Sequence, residues 1–201
     1  MPRPRGKLTD TEPLELWEYT LIMAQLFGHW HIFYQLLWAI GIRCGEALAL
    51  RKQDLDNGYV WVTREKRIDH PREQLPLNSE LFVALEYLTK KLKPNQRIFP
   101  YTSQAAALTL KLAAKRAEIR VIDECSTVHP HLFRHGFGNR AYEITKDLVL
   151  VQRMIGHKDM RSTQRYAKPT KTKIIQTFRD INKPGPSIEV PPVTTNQSIV
   201  F

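Results

Sequence analysis

Apolar residues recur every three to four positions along most of this 201-residue chain, and this spacing constrains the fold more than any other feature. Side chains with that spacing lie on one face of an α-helix, so each such stretch can bury one face against a shared core. The sequence therefore predicts a mainly helical protein. The predicted helices are 13–26, 29–40, 46–51, 79–92, 103–119, 131–142, 147–155, 162–166 and 171–181.

One short region departs from the helical pattern. Residues 59–63, Tyr-Val-Trp-Val-Thr, are β-branched or aromatic, which favours a strand. Residues 74–77 predict a second short strand that pairs with the first. The polar, highly charged segment 64–72 between them is predicted to form the tip of a β-hairpin. The expected fold class is α+β, mainly helical, with a small antiparallel sheet at one edge.

The charge of the chain favours a polyanionic partner. It contains 30 Lys and Arg residues against 20 Asp and Glu residues, a formal net charge of +10. Nucleic acid is the first candidate for such a partner. Many basic proteins nonetheless bind no nucleic acid, so the sequence motifs have to decide.

We expect a chain that is neither secreted nor inserted into a membrane. The longest apolar stretch, 33–42, is interrupted by Gln35 and is too short to cross a bilayer, and the basic start 1–7 is not followed by an apolar core. Cys44 and Cys125 are too few for a disulfide framework or a zinc site, and we interpret them as packing residues in a reducing cytosol. The expected location is the cytoplasm, in association with DNA.

The last third of the chain carries four side chains that could act on a phosphate, namely His131, Arg134, His157 and Tyr166. His131 and Arg134 are three residues apart on a predicted helix, so both project from one face toward one ligand. Arg43, far upstream, offers a second guanidinium, whose planar fork of donors fits phosphate oxygens. The set predicts phosphate binding beside a tyrosine nucleophile, with neither a metal nor another cofactor.

Each of these residues also has a structural alternative. Arg43 could cap a helix, His131 could be a hydrogen-bonded core histidine, and Tyr166 could simply pack through its ring. For any one residue taken alone the structural alternative is favoured, so the case for chemistry depends on the sequence around the residues.

Four short motifs follow one another in the order of a known family. Residues 41–46 read Gly-x-Arg-x-x-Glu, residues 131–135 read His-x-x-Arg-His, residues 155–157 read Ile-Gly-His, and Tyr166 follows His157 by nine residues. Together they resemble the motifs of the phage integrase, or tyrosine recombinase, family over roughly residues 8–181. A mild departure is the pair Gly136 and Gly138, which we expect to weaken the helix after Arg134.

The resemblance implies a role for each motif residue. Arg43 and Arg134 would hold the scissile phosphate, His131 would accept the tyrosine proton, and His157 would be a supporting phosphate donor. Tyr166 would attack the phosphodiester and form a 3′-phosphotyrosyl bond, leaving a free 5′-hydroxyl. A phenol with a pKa of about 10 needs such a base and nearby positive charge to react at neutral pH.

The family also places a lysine in the hairpin between its second and third strands, where it protonates the leaving 5′-oxygen. Lys66 fits that position best, although Arg64 and Arg67 flank it and blur the register. An arginine would be a poor proton donor because it stays protonated. Lys66 is therefore the expected general acid.

Double-stranded DNA is the expected partner. The resemblance implies a homotetramer on DNA, while in solution a monomer is one state open to the chain. Besides the motif residues, basic side chains could contact phosphates, and the alternative for each is a solvated basic surface. These candidate DNA-binding residues are Arg64, Arg67, Lys111, Lys115 and Arg165, with Arg116 and Arg120 on the same predicted helix face as the two lysines.

The resemblance also implies a domain organisation. Many family members carry a separate helical domain before the catalytic one, and only a short arm precedes the first predicted helix here. We expect a basic arm at 1–7, a catalytic domain at 8–183, and a flexible tail at 184–201, which holds four prolines and a single charged side chain, Glu189.

The predicted function is site-specific DNA recombination, as integration, excision or inversion. Two alternatives remain open at this point: a type IB topoisomerase, which uses related chemistry, and a non-catalytic DNA-binding regulator with the same fold. The intact set of motif residues argues against the regulator, and the motif spacing favours the recombinase.

Overall fold

Residues 12–64 and 72–156 are described in the computed structural model, and all belong to the first of the two units of the chain, Met1–Ala167. Within these residues the chain forms seven α-helices and five short strands. The helices are α1 (Leu16–Met23), α2 (Gly28–Ile40), α3 (Cys44–Ala49), α4 (Ser79–Thr89), α5 (Ser103–Arg116), α6 (His131–Thr145) and α7 (Leu148–Ile155). The strands are β1 (Leu55–Asp56), β2 (Tyr59–Thr63), β3 (Arg72–Pro76), β4 (Val121–Ile122) and β5 (Cys125–Ser126).

Helix α2 lies at the centre of the core, where the sequence predicted a helix over 29–40. Its aromatic residues pack in two directions: the Phe33 ring lies 5.1 Å from the Phe99 ring, and the Tyr34 ring lies 5.1 Å from that of Phe133 on α6. The buried Tyr34 hydroxyl donates to the Ala106 carbonyl at 2.5 Å. Because that polar group has a partner, the whole side chain can be buried at low cost.

A glycine allows α6 to approach α2 closely. A Cβ at Gly136 would lie 2.4 Å from the Trp38 ring and 2.9 Å from the Leu14 carbonyl oxygen. Gly136 lowers the helix stability of α6, as expected, but any larger residue at this position would collide with the core.

The three-stranded sheet has the order β1-β2-β3, with antiparallel neighbours. It confirms the predicted strand at 59–63 and its pairing, with β3 beginning two residues earlier than expected. Val60 and Val62 point into the core, opposite Leu75 and Glu73. Of the predicted hairpin tip, Arg64 is buried and Arg72 belongs to β3, while residues 65–71 lie outside the described residues.

Strands β4 and β5 form a hairpin that the sequence did not predict. The two residues between the strands, Asp123 and Glu124, have φ of 45° and 62°. Turns of this kind usually contain glycine or asparagine, which tolerate positive φ. Neither residue occurs at these two positions, so the turn was not predicted from the sequence.

Arg120 faces inward, so its predicted place on an exposed helix face is wrong. The guanidinium donates to both carboxylate oxygens of Glu18, at 2.9 and 2.7 Å. It also donates to the carbonyls of Glu12 and Pro13. Helix α5 ends at Arg116, and the chain then turns through residues with positive φ, so the helical spacing no longer sets the direction of Arg120.

The remaining helices broadly follow the predicted boundaries. The first one is shorter than expected, because α1 begins only after Glu15, whose backbone N–H donates to the Glu18 carboxylate at 3.0 Å. The predicted helices at 162–166 and 171–181 lie outside the described residues. Within 12–64 and 72–156, no helix combines the length and apolarity needed to cross a lipid bilayer.

Candidate active site

Arg43 precedes α3 and is held by a glutamate one turn later. The Arg43 backbone N–H donates to Oε2 of Glu46 at 2.8 Å, and its Nη1 donates to Oε1 at 2.7 Å. The side chain of Arg43 is 20% exposed, whereas that of Glu46 is fully buried. Arg43 therefore occupies a helix N-cap position, which is the structural alternative considered for it, while part of its side chain remains exposed.

The groups around Glu46 keep its carboxyl group ionised. Burial opposes its ionisation, but hydrogen bonds from Arg43 and the positive charges of Arg64 and Arg43 outweigh burial and lower the pKa of Glu46 below its usual range. A carboxylate at this position keeps two arginines close together that would otherwise repel each other.

Arg64 is fully buried and lies between three segments of the chain. Its Nε donates to Glu73 of β3 at 2.9 Å, and its Nη1 donates to Glu46 at 3.3 Å. Its Nη2 donates to the Met154 carbonyl near the end of α7, also at 3.3 Å. The alternation of β2 continues one residue further and turns the Arg64 side chain inward, so in this structure it binds protein groups. Its contact with DNA stays a prediction.

Arg134, on α6, is also fully buried. Its Nη1 donates to the Gly41 carbonyl at 2.6 Å, and its Nη2 donates to the Ile155 carbonyl at 2.5 Å. Gly41 lies two residues before Arg43, and Ile155 lies two residues before His157 in the sequence. One guanidinium thus joins the first motif, at Gly41, to the third motif, at Ile155.

Gly41 is required by its conformation and its surroundings. It ends α2 with φ of 63°, a left-handed conformation that side chains other than glycine adopt at a cost. A Cβ there would lie 2.3 Å from the Phe137 ring. The glycine therefore sets both the turn into Arg43 and the direction of the carbonyl that Arg134 binds.

His131 begins α6, one turn before Arg134, and is exposed. Its ring lies 4.5 Å from the ring of the buried His135, in an edge-to-face arrangement. The alternative that His131 is a core histidine is therefore wrong. His131 lies at the surface, on the same helix as Arg134.

The C-terminal end of α7 is completed by the two buried arginines. Gly156, with φ of 70°, donates its backbone N–H to the carbonyls of Gln152 and Arg153, at 2.9 and 3.1 Å. The next two carbonyls, of Met154 and Ile155, accept from Arg64 and Arg134. Helix ends leave such carbonyls without partners and carry partial negative charge, so two guanidinium groups are well suited to this place.

Several predicted site residues lie outside the described residues: Lys66, Arg67, His157, Arg165 and Tyr166. Of the others, Lys111 and Lys115 are exposed on α5, and the Lys115 ammonium lies 3.9 Å from the Glu124 carboxylate. Their contact with DNA remains a prediction.

The motifs alone did not reveal the acidic side chains or the structural role of Arg64. Glu46 had a visible signal, since it is the final residue of Gly-x-Arg-x-x-Glu and its spacing places it one turn after Arg43. The inward direction of Arg64 also had a signal in the sequence, because Val60, Val62 and Arg64 are every second residue and so share one face of a strand. Glu73 could be found only from the register that pairs it with Val62.

Sequence comparison gives matches over most of the chain. The model of the phage integrase family matches residues 11–173. Tyrosine recombinase XerD of Rhizobium meliloti (strain 1021) is 31% identical over 157 residues, covering 72% of this chain and 48% of that protein. Tyrosine recombinase XerC of Oceanobacillus iheyensis (strain DSM 14371 / CIP 107618 / JCM 11309 / KCTC 3954 / HTE831) is 30% identical over 190 residues, covering 86% of this chain and 60% of that protein. The chain thus spans about half to three-fifths of the length of these relatives.

Solved structures share the fold. XerA recombinase superposes with a TM-score of 0.70 at 17% identity, covering 90% of this chain and 67% of the other. The catalytic domain of bacteriophage HP1 integrase gives 0.61 at 20% identity, covering 87% of this chain and 99% of that domain. XerH site-specific recombinase bound to its difH substrate gives 0.63 at 18% identity, covering 83% and 53%. At these identities the likeness concerns the fold, and it confirms the predicted fold class.

Proposed function

Because the chain belongs to the phage integrase family, we propose that it contains the catalytic domain of a tyrosine site-specific recombinase, which cuts and rejoins DNA through a covalent bond to Tyr166. The observation that carries this proposal is the pair of bonds from Arg134 to the Gly41 and Ile155 carbonyls. They bring together two motifs that are more than a hundred residues apart in the sequence. A fold that gathers dispersed motif residues in this way supports a shared site.

The proposed reaction is a transesterification. The Tyr166 oxygen attacks the phosphorus, a tyrosyl–phosphorus bond forms, and the bond from phosphorus to the 5′-oxygen breaks. His131 takes the phenol proton, and Lys66 gives a proton to the departing 5′-oxygen. The reverse attack by a 5′-hydroxyl of another strand reseals the DNA, so the bond energy is conserved and neither ATP nor a metal is consumed.

Arg43, Arg134 and His157 would stabilise the negative charge that builds on the phosphate oxygens. Arg43 suits this role because Glu46 fixes it from one side while part of its side chain remains exposed. Arg134 is fully buried in the DNA-free chain. In this proposal DNA binding must therefore make the Arg134 guanidinium accessible to the scissile phosphate.

Double-stranded DNA is the proposed substrate and partner, with a homotetramer as the proposed assembly on it. The net charge of +10 suits a phosphate backbone. The relatives named tyrosine recombinase, and the XerH structure bound to its difH substrate, support the same assignment. The likeness to a transposon integrase in complex with DNA, at a TM-score of 0.63, supports a role on a mobile element.

The test begins with a DNA site selected by binding from random duplexes, because the target sequence is unknown. A duplex containing that site is nicked close to the scissile phosphate, so that cleavage releases a short strand and traps the intermediate. We expect a covalent protein–DNA product on denaturing gels, and no such product with Tyr166→Phe. A product that survives Tyr166→Phe, or the absence of any product on every selected site, contradicts the proposal.

The same protein can be assayed on supercoiled plasmids without the selected site. A recombinase leaves such plasmids largely supercoiled, whereas relaxation of any plasmid would favour a type IB topoisomerase. Tight binding to a selected site with no covalent product would favour a non-catalytic regulator.

A further inference from the structure

Arg64 is among the largest fully buried side chains of the described residues, and all three of its guanidinium nitrogens have partners. A buried charge is costly unless it is paired, so a chain retains one only where its contacts compensate for that cost. Arg64 and Glu46 are both completely enclosed, while Glu73 is 26% exposed. With Arg43, these residues make two positive and two negative charges, a neutral cluster.

The partners of Arg64 belong to three segments, and each segment leads to a proposed reacting group. Glu46 holds Arg43 through two hydrogen bonds. Glu73 belongs to β3, the second strand of the hairpin whose connecting segment contains Lys66, and Lys66 follows Arg64 by two residues in the sequence. Met154 lies three residues before His157. The Arg64 guanidinium therefore binds three segments of the chain, which carry or lead to Arg43, Lys66 and His157.

An arginine is needed at this place because its donors point in three fixed directions. A lysine ammonium is a compact point charge on a flexible stem and cannot span the same three acceptors with the same geometry. The fit is also tight, since a Cβ on Gly156 would lie 3.2 Å from Nε of Arg64 and 3.4 Å from its Cζ. The guanidinium is thus packed as well as hydrogen-bonded.

We propose that Arg64 is a positioning residue for strand cleavage, which fixes the base of the β2–β3 hairpin, and with it the approach of Lys66, relative to Arg43 and the end of α7. It does not touch the DNA. This inference rests on the proposed recombinase function. It differs from a purely structural role, in which Arg64 would stabilise the fold without favouring any one step of the reaction.

The distinguishing readout is the need for a proton on the leaving group. On a nicked duplex with a normal 5′-oxygen, loss of Lys66 positioning slows cleavage; on the same duplex with sulfur in place of that oxygen, the leaving group needs no proton donor. Arg64→Lys keeps the charge but not the three-way geometry. Glu46 still holds Arg43 in this variant through bonds that do not involve Arg64.

We expect Arg64→Lys to slow single-turnover cleavage of the oxygen duplex by about 30-fold, less than the roughly 100-fold or more that complete loss of a general acid costs, because Lys66 is displaced and not removed. DNA affinity should change by less than about twofold, because no phosphate contact is removed. With the sulfur duplex the variant should return to within about threefold of the wild-type rate. Rates are compared at a temperature where circular dichroism shows every variant folded.

Arg120→Lys is the matched control. It also weakens a buried arginine–carboxylate pair, but its partners are Glu18 and the carbonyls of Glu12 and Pro13, none of which belongs to the candidate site. We expect a lowered melting temperature and unchanged cleavage of both duplexes. If Arg64→Lys does not fold, Glu73→Gln weakens a single, partly exposed contact of Arg64 and should show a smaller loss, of about fivefold, with the same recovery on sulfur.

An equal loss on the oxygen and sulfur duplexes, or no loss on either, would overturn the positioning role. Failure of the wild-type protein to form any covalent product would instead overturn the proposed function, and the role of Arg64 with it. The two failures are thus distinguished by the wild-type reaction alone.

Discussion

Arg64 and Arg134 donate hydrogen bonds to consecutive backbone carbonyls at the end of α7, those of Met154 and Ile155. Each arginine also donates to the first motif, where Arg64 binds the Glu46 carboxylate and Arg134 binds the Gly41 carbonyl. Each of the two buried guanidinium groups therefore links the end of α7 to residues 41–46. The segment that leads to His157 and the segment that carries Arg43 are held together by these two bridges.

The bridge from Arg134 depends on the conformation of Gly41, which gives a first prediction. Gly41→Ala places a methyl group 2.3 Å from the Phe137 ring in a left-handed backbone conformation. We expect the free energy of unfolding, measured by urea titration, to fall by about 2–4 kcal/mol, because overpacking adds to the backbone strain.

Gly28→Ala is the control for that prediction. Gly28 has φ of 56°, but a Cβ there would have no neighbour within 4 Å. Its loss should be limited to about 1 kcal/mol of backbone strain. Equal losses in the two variants would show that the contact with Phe137 contributes nothing.

A second prediction concerns acid. The pKa of Glu46 is lowered in the folded chain, so its ionised form contributes stability that is fully present above its ordinary pKa of 4.5 and is lost as the pH falls through the lower, folded-state value. Glu46→Gln should unfold more readily at pH 7, by about 3 kcal/mol, since it leaves buried arginines with less compensation. It should also lose part of the wild-type decline in stability below pH 4.5.

The measurement is the free energy of unfolding by urea between neutral and acid pH. Glu86→Gln, which removes an exposed carboxyl on α4, serves as the control and should follow the wild-type curve closely. A Glu46→Gln curve that declines in acid as steeply as the wild type would contradict a lowered pKa for this group.

The two cysteines should differ in reactivity. Burial raises the pKa of the Cys44 thiol to about 11, so little thiolate exists at neutral pH. Cys125 is exposed in the β4–β5 hairpin. With a chromogenic disulfide reagent at pH 7.5, about one thiol per chain should react rapidly, because the Cys125 thiol is accessible to the reagent. In Cys125→Ser the rapid phase should disappear, and rapid labelling of that variant would contradict the burial of Cys44.

The basic face of α5 supplies a fourth prediction, which decides between phosphate contact and solvation. If Lys111 and Lys115 each contact a phosphate, each Lys→Gln change should reduce the slope of log affinity against log salt by about 1. Lys91→Gln, on an exposed lysine near the end of α4, provides a charge-matched control with no expected change. An unchanged slope in the two α5 variants would mean that these lysines are solvated.

Much of the fold followed from the spacing of apolar residues. The period of α2 and the β-branched run of β2 were predicted almost residue for residue, because both patterns report burial in a regular element. The inward turn of Arg120 was not predictable, since it follows the end of α5, where helical spacing no longer applies. The β4–β5 turn was missed for a related reason: Asp123 and Glu124 adopt positive φ without a glycine.

The candidate site was predictable in part. Arg43 and Arg134 were found from their motifs, and the structure connects the segments around them. The carboxylates that hold the arginines were not assigned, because Glu73 reaches Arg64 only through the pairing of β2 with β3. A motif records which residues are present, whereas such contacts depend on strand register and on the direction of each side chain.

The central claim is that Tyr166 becomes bonded to DNA, and mapping the covalent product tests it most directly. The product formed on the nicked duplex is digested with nuclease and trypsin, and the DNA-linked peptide is identified by mass spectrometry. The account predicts that the peptide contains Tyr166, joined to a 3′-phosphate, and that the released strand carries a 5′-hydroxyl. Attachment to any other residue, or through a 5′-phosphate, would contradict it.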